Sequence, residues 1–161
     1  MKIITEIQVV ELEAMRVISF HGYGKSPEGI AWEKLREWVT TNGHEGMVES
    51  QRFFGFNNPN PSPGSENYGY EQWMTLPKDY EPQEDETVKF LAGGLYAIGG
   101  FRESTPESFG PAWQAINDWR VDSDYVYDES RQWLEELRTK ESVLADMPLV
   151  DFDCFMPIVK A

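Results

Sequence analysis

Two stretches of the chain set a carboxylate two positions from a tryptophan. Glu71-Gln72-Trp73 lies in the run Tyr68 to Leu76, and Trp133-Leu134-Glu135 lies in the run Gln132 to Arg138. In an extended strand, residues two apart point to one face. Glu71, Trp73 and Thr75 therefore share a face opposite Tyr70, Gln72, Met74 and Leu76. Trp133, Glu135 and Leu137 likewise share a face opposite Leu134 and Glu136. A carboxylate buried beside aromatic rings is disfavoured in its ionised form. A cationic aromatic ligand relieves that cost while it stacks on the rings. An amphipathic strand with a solvated acid and a packed ring has the same pattern, and spacing alone favours that plainer reading.

The elements that must position these residues occur twice. Ala31-Trp32-Glu33-Lys34-Leu35-Arg36-Glu37-Trp38 and Ala112-Trp113-Gln114-Ala115-Ile116-Asn117-Asp118-Trp119 share an A-W-x5-W pattern and hold four of the six tryptophans. Each copy follows a hydroxyl-Pro-acid helix start, Ser26-Pro27-Glu28 and Thr105-Pro106-Glu107. Helix one is expected from Pro27 to Thr41, with Ala31, Leu35, Trp38 and Val39 on one face and Asn42-Gly43 as its stop. Helix two is expected from Pro106 to Trp119. Before them lie strands from Met15 to Phe20 and from Gly94 to Phe101, and after them strands from Arg52 to Phe56, Tyr68 to Leu76, Gln132 to Arg138 and Val150 to Val159. Further strands are expected from Ile3 to Leu12 and Val88 to Leu91. Gly93-Gly94 reads as a strand start and Gly99-Gly100 as a bulge. The unit is strand-helix-strand-strand, repeated.

Half of a 161-residue chain with one helix buries little core alone. The expected fold is therefore α+β: duplicated β-α-β-β units sharing one antiparallel sheet, helices on one face, and a ligand groove on the pseudo-twofold axis. It forms one domain over 1–161, with repeats of about 1–78 and 87–161 joined by an acidic connector at 79–86.

The formal net charge of −14 repels phosphate backbones, and no basic stripe or recognition-helix motif is present, which speaks against direct nucleic-acid binding. The acidity serves solubility, and it also favours cationic ligands or a basic protein surface. No apolar run reaches the length of a bilayer span, and the N-terminus lacks a signal-peptide pattern. One cysteine, Cys154, excludes an internal disulfide and fits a reducing cytoplasm. Two histidines, His21 and His44, without Cys/His ligand spacing give no metal site, and no cofactor motif occurs.

Several runs together resemble the GyrI-like family, the effector-binding domain of AraC-type and MerR-type multidrug regulators that also occurs free-standing. They are Arg52-Phe53-Phe54-Gly55-Phe56-Asn57-Asn58-Pro59, Tyr70-Glu71-x-Trp73, Gly93-Gly94-x-Tyr96-Ala97, Trp133-Leu134-Glu135 and Asp153-x-Phe155-Met156-Pro157-Ile158. Their order and spacing carry the likeness over nearly the whole chain, and with no helix-turn-helix ahead of the domain the chain resembles the free-standing members. The resemblance implies an aromatic groove with a buried glutamate. By position Glu135 corresponds to the ligand-contacting acid of the second unit and Glu71 to that of the first, with Glu135 versus Glu136 left open. Trp133 and Leu137 would join Glu135, while Trp73, Tyr70, Phe54 and Tyr68 would join Glu71. Tyr70 lies on the opposite parity and belongs to the core unless a bulge beside Gly69 turns it.

The resemblance implies, first, a binder of hydrophobic aromatic small molecules or xenobiotics, cationic ones included. Second, it implies a hydrolase of cyclopropane-bearing DNA-alkylating natural products, in which Glu135 or Glu71 positions water. A DNA-mimicking gyrase inhibitor is a distant third.

Overall fold

The computed structural model describes residues 3–102, 109–145 and 151–161. The chain forms two compact units. One comprises Met15–Leu91 and Lys140–Met147; the other comprises Met1–Ala14, Ala92–Thr139 and Pro148–Ala161.

In the first of these, the elements follow as β3 (Met15–Gly24), α1 (Pro27–Thr41), β4 (Phe53–Asn57), β5 (Tyr68–Thr75) and β6 (Val88–Leu91), and the four strands form an antiparallel sheet in the order β4-β5-β3-β6. The expected strand-helix-strand-strand order is present, and α1 has the expected bounds. Ser26 stands at its N-cap but makes no side-chain cap hydrogen bond, so Pro27 and Glu28 carry the start. Ala31, Leu35 and Val39 are buried as the periodicity requires. Trp32 rather than Trp38 is the buried tryptophan of this helix, its ring stacked 5.9 Å from Phe53. That stacking assigns the faces. Phe53 pairs with Met74 and Met74 with Ile18, so Phe53, Met74, Gln72, Tyr70, Ile18 and Phe20 point toward α1. Phe54, Phe56, Glu71, Trp73, Ser19, Val17 and Lys89 point away from it.

The other unit repeats the scheme with β7 (Gly94–Arg102), α2 (Phe109–Val121), β9 (Leu134–Leu137) and β10 (Phe152–Lys160). β10 pairs with both β7 and β9. The start expected for helix two, Thr105-Pro106-Glu107, and the start of the last strand at Val150 lie outside the described residues. Two N-terminal strands, β1 (Ile3–Ile4) and β2 (Gln8–Leu12), replace the single strand expected there; both pair with β7 and so join this unit. β8 (Tyr125–Tyr127), which the sequence reading did not anticipate, pairs with the end of β10. Gly99-Gly100 is not a bulge. The β7–β10 register runs unbroken from Phe101↔Phe152 to Tyr96↔Pro157, and Gly99 is small because Ile7 and Ile116 fill the space a Cβ would take.

α1 approaches its sheet closely at one residue. A Cβ at Gly22 would collide with the Pro27 carbonyl oxygen, the Ile30 Cβ and the Ala31 nitrogen, two of which are backbone atoms that cannot step aside. Gly29, in the same helix, has open space around it. Denaturant unfolding should therefore show Gly22→Ala costing about 1–3 kcal/mol, while Gly29→Ala gains about 0.5–1 kcal/mol from reduced unfolded-state freedom. Equal effects would mean that α1 does not seat on β3 at Gly22.

Candidate functional site

On the face of the first unit that points away from α1, Glu71 is 3% exposed. Burying an ionised carboxylate is costly unless hydrogen bonds satisfy it, and here four donors converge. Oε1 accepts from Lys89 Nζ at 2.6 Å, Ser19 Oγ at 2.8 Å and Trp73 Nε1 at 3.1 Å. Oε2 accepts from Asn58 Nδ2 at 2.5 Å. Aromatic rings surround the acid. Phe56 is its strand partner and meets Trp73 edge-on at 4.9 Å, while Phe54 pairs with Trp73. Glu71, Trp73 and Phe54, three of the expected site residues, are thus brought together.

Tyr70 and Tyr68 are not. Tyr70 points toward α1, buried, its ring where a Gly55 Cβ would be, as its parity requires. Tyr68 also points to the helix side and donates its hydroxyl to Glu28 Oε1 at 2.5 Å.

In the second unit Glu135 and Leu137 share a face as expected, but that face lies under the helix. Leu137 pairs with Phe152, which packs on Phe109 of α2 at 5.1 Å, and Glu135 pairs with Cys154, itself opposite Gly99. Trp133 precedes β9, is 41% exposed and packs on Trp113 of α2 at 4.8 Å. The carboxylate facing away from α2 is Glu136, 1% exposed, on the side of Leu134, Asp153 and Phe155. Arg138 Nη1 lies 3.7 Å from Glu136, and Arg102 donates to Asp153 at 3.0 Å. The tryptophan was the misleading signal, because proximity to Trp133 selects the helix-packed side. β9 pairs with the last strand of its unit as β4 does with β5, so its outward residues correspond to Phe54 and Phe56 rather than to Glu71 and Trp73.

Asn58, Ser19 and Lys89 were also missed. Asn58 stands in the Phe-Gly-Phe-Asn-Asn-Pro run, whereas nothing in the local pattern marks Lys89.

A cavity of about 350 Å3 lies beside α1 in the first unit, lined among others by Phe20, Trp38, Asn42, Gln83, Asp85 and Glu86. Glu86 accepts there from Trp38 Nε1 at 2.6 Å, the Tyr80 hydroxyl at 2.8 Å and the Gln83 amide at 2.8 Å, which fastens the acidic connector to α1. Burial and the Glu86 carboxylate push the Tyr80 hydroxyl up to about 12. Burial also pushes the Cys154 thiol up, which leaves it unreactive as a nucleophile.

Burial alone would raise the Glu71 carboxyl, but the bonds from Lys89, Asn58, Ser19 and Trp73 outweigh it and hold the group at about 2, against 4.5 ordinarily. The folded value lies below the unfolded one. Its contribution to stability is therefore complete above 4.5 and is lost as pH falls toward 2. Unfolding measured from about pH 5 down to about pH 2 should show the wild type losing on the order of 3 kcal/mol more than Glu71→Gln. Parallel acid profiles would contradict an ionised, hydrogen-bonded Glu71.

No curated protein sequence matches the chain. Among solved structures, an integron cassette protein of Vibrio cholerae is similar over 98% of this chain and 99% of its own, with TM-score 0.58 and 10% identity. The C-terminal domain of EcmrR is similar over 97% of this chain and 98% of its own, with TM-score 0.65 and 12% identity. SAV2435, solved bound to tetraphenylphosphonium, is similar over 96% of this chain and 94% of its own, with TM-score 0.54 and 10% identity. These likenesses establish the α+β fold expected from the sequence motifs. The sequence of residues 8–158 also matches a family model, and the chain belongs to that family, Cass2, the integron-associated effector binding proteins.

Proposed function

We propose that this protein binds hydrophobic aromatic small molecules, cationic ones included, on the sheet faces that point away from its helices. One observation carries the reading: each of those faces holds a buried carboxylate, Glu71 among Trp73, Phe54 and Phe56, and Glu136 beside Phe155 and Leu134. Aromatic faces attract a cation through their quadrupole, and a desolvated carboxylate adds a charge that water does not screen. The net charge of −14 raises the local concentration of cations. Membership of an effector-binding family and the tetraphenylphosphonium held by SAV2435 support the same ligand class.

Hydrolysis of cyclopropane-bearing drugs gains no support from Glu71. A carboxyl held at about 2 is a weak base, and its acceptor sites are already taken by four donors.

Isothermal titration with tetraphenylphosphonium tests the reading. Glu136→Gln should weaken binding by about 1–3 kcal/mol, the range for a lost charge-assisted contact. Trp73→Phe should weaken both this cation and the neutral triphenylphosphine oxide. Glu135→Gln, on the helix side, should change neither. Loss of binding in Glu135→Gln with Glu136→Gln unaffected would overturn the assignment of faces.

A further inference from the structure

The ion pair on Glu71 is unequal. The carboxylate is 3% exposed, whereas the Lys89 side chain that reaches it is 44% exposed. A buried carboxylate needs a cation nearby, but an ammonium on a flexible stem is well solvated without one. Lys89 belongs to the four-residue strand β6, which pairs with β3, and among the described residues its ammonium has Glu71 as its hydrogen-bond partner. Ser19, Trp73 and Asn58, by contrast, are neutral donors fixed by β3, β5 and the turn after β4. With Lys89 swung away, the carboxylate would keep three hydrogen bonds and lose the fourth together with its counter-charge.

We propose that Lys89 is a tethered counter-ion, a specificity-determining residue that occupies the place of a ligand cation on Glu71 and is displaced when one binds. This deepens the proposed function and rests on the face of Glu71 and Trp73 being a ligand face. In the free protein the ammonium neutralises the buried acid. A cationic aromatic ligand takes over that role beside Trp73 and Phe56, whose rings meet each other edge-on at 4.9 Å, while Lys89 turns to water. A neutral ligand of the same shape cannot replace the ammonium and leaves it in place. Lys89 thus sets the threshold a cation must exceed on this face, and a cation at Glu71 is bound in competition with it.

The test is titration of the wild type, Lys89→Met and Lys89→Arg with tetraphenylphosphonium and with triphenylphosphine oxide. Lys89→Met removes the competitor and keeps the stem, so it should tighten the phosphonium by about tenfold or more and leave the oxide unchanged. Lys89→Arg, which keeps the charge, should behave as the wild type. A structural ion pair would give the reverse, with Lys89→Met weakening or not altering the phosphonium. That result overturns the proposal while binding as such stands. Absence of binding of either compound to all three proteins overturns both this inference and the function it rests on. A measurement on the wild type covers the case in which Lys89→Met fails to fold. The Lys89 ammonium resonance should lose its hydrogen-bonded shift on adding the phosphonium and keep it on adding the oxide. Retention of that shift with phosphonium bound overturns the proposal.

Discussion

A carboxylate buried in a sheet has to be matched, and the Glu71 cluster is where several segments of its unit are tied to one another. Ser19 comes from β3, Trp73 from the strand of Glu71 itself, Asn58 from the turn after β4 and Lys89 from β6. A one-residue slip of any of these strands would turn its donor to the other face, so satisfying the acid and setting the register are one requirement. The pairings His21↔Glu71 and Phe56↔Glu71 set that register on both sides. Aromatic residues beside the carboxylate lower the local dielectric and raise the cost of any misplaced donor.

Much of this was legible in the chain. The A-W-x5-W helix and its Pro27 start predicted α1 residue for residue, because periodicity and helix signals are local. Parity correctly separated Glu71 and Trp73 from Tyr70 for the same reason. Features that depend on what covers a face were not legible. Trp32 rather than Trp38 packs into the core because Phe53 lies beneath it. Glu136 rather than Glu135 points away from α2 because α2 covers the other side, and no property of a four-residue strand states which side that is. Lys89 is a single lysine on a short strand whose partner is distant in sequence, so only the register reveals its role.

The two acids offer a ligand different surroundings. Glu71 has an ammonium at 2.6 Å and three neutral donors, whereas Glu136 shares its face with Asp153 and has the Arg138 guanidinium at 3.7 Å. Both acids sit in a chain with a strong negative excess. A binder that answers to shape and positive charge, rather than to one scaffold, suits such surroundings, because stacking and a fixed carboxylate place few demands on the ligand's outline.

The six tryptophans make one measurement decisive, because their indole N–H groups sample both faces. Trp73 lies on the face away from α1, while Trp32 stacks on the helix side and Trp113 and Trp133 pack on each other beside α2. Two-dimensional nitrogen–proton spectra recorded during titration with tetraphenylphosphonium should shift the Trp73 indole signal in step with binding and leave Trp32, Trp113 and Trp133 in place. Saturable shifts at Trp113 and Trp133 with Trp73 unmoved would place the ligand on the helix side and contradict the account.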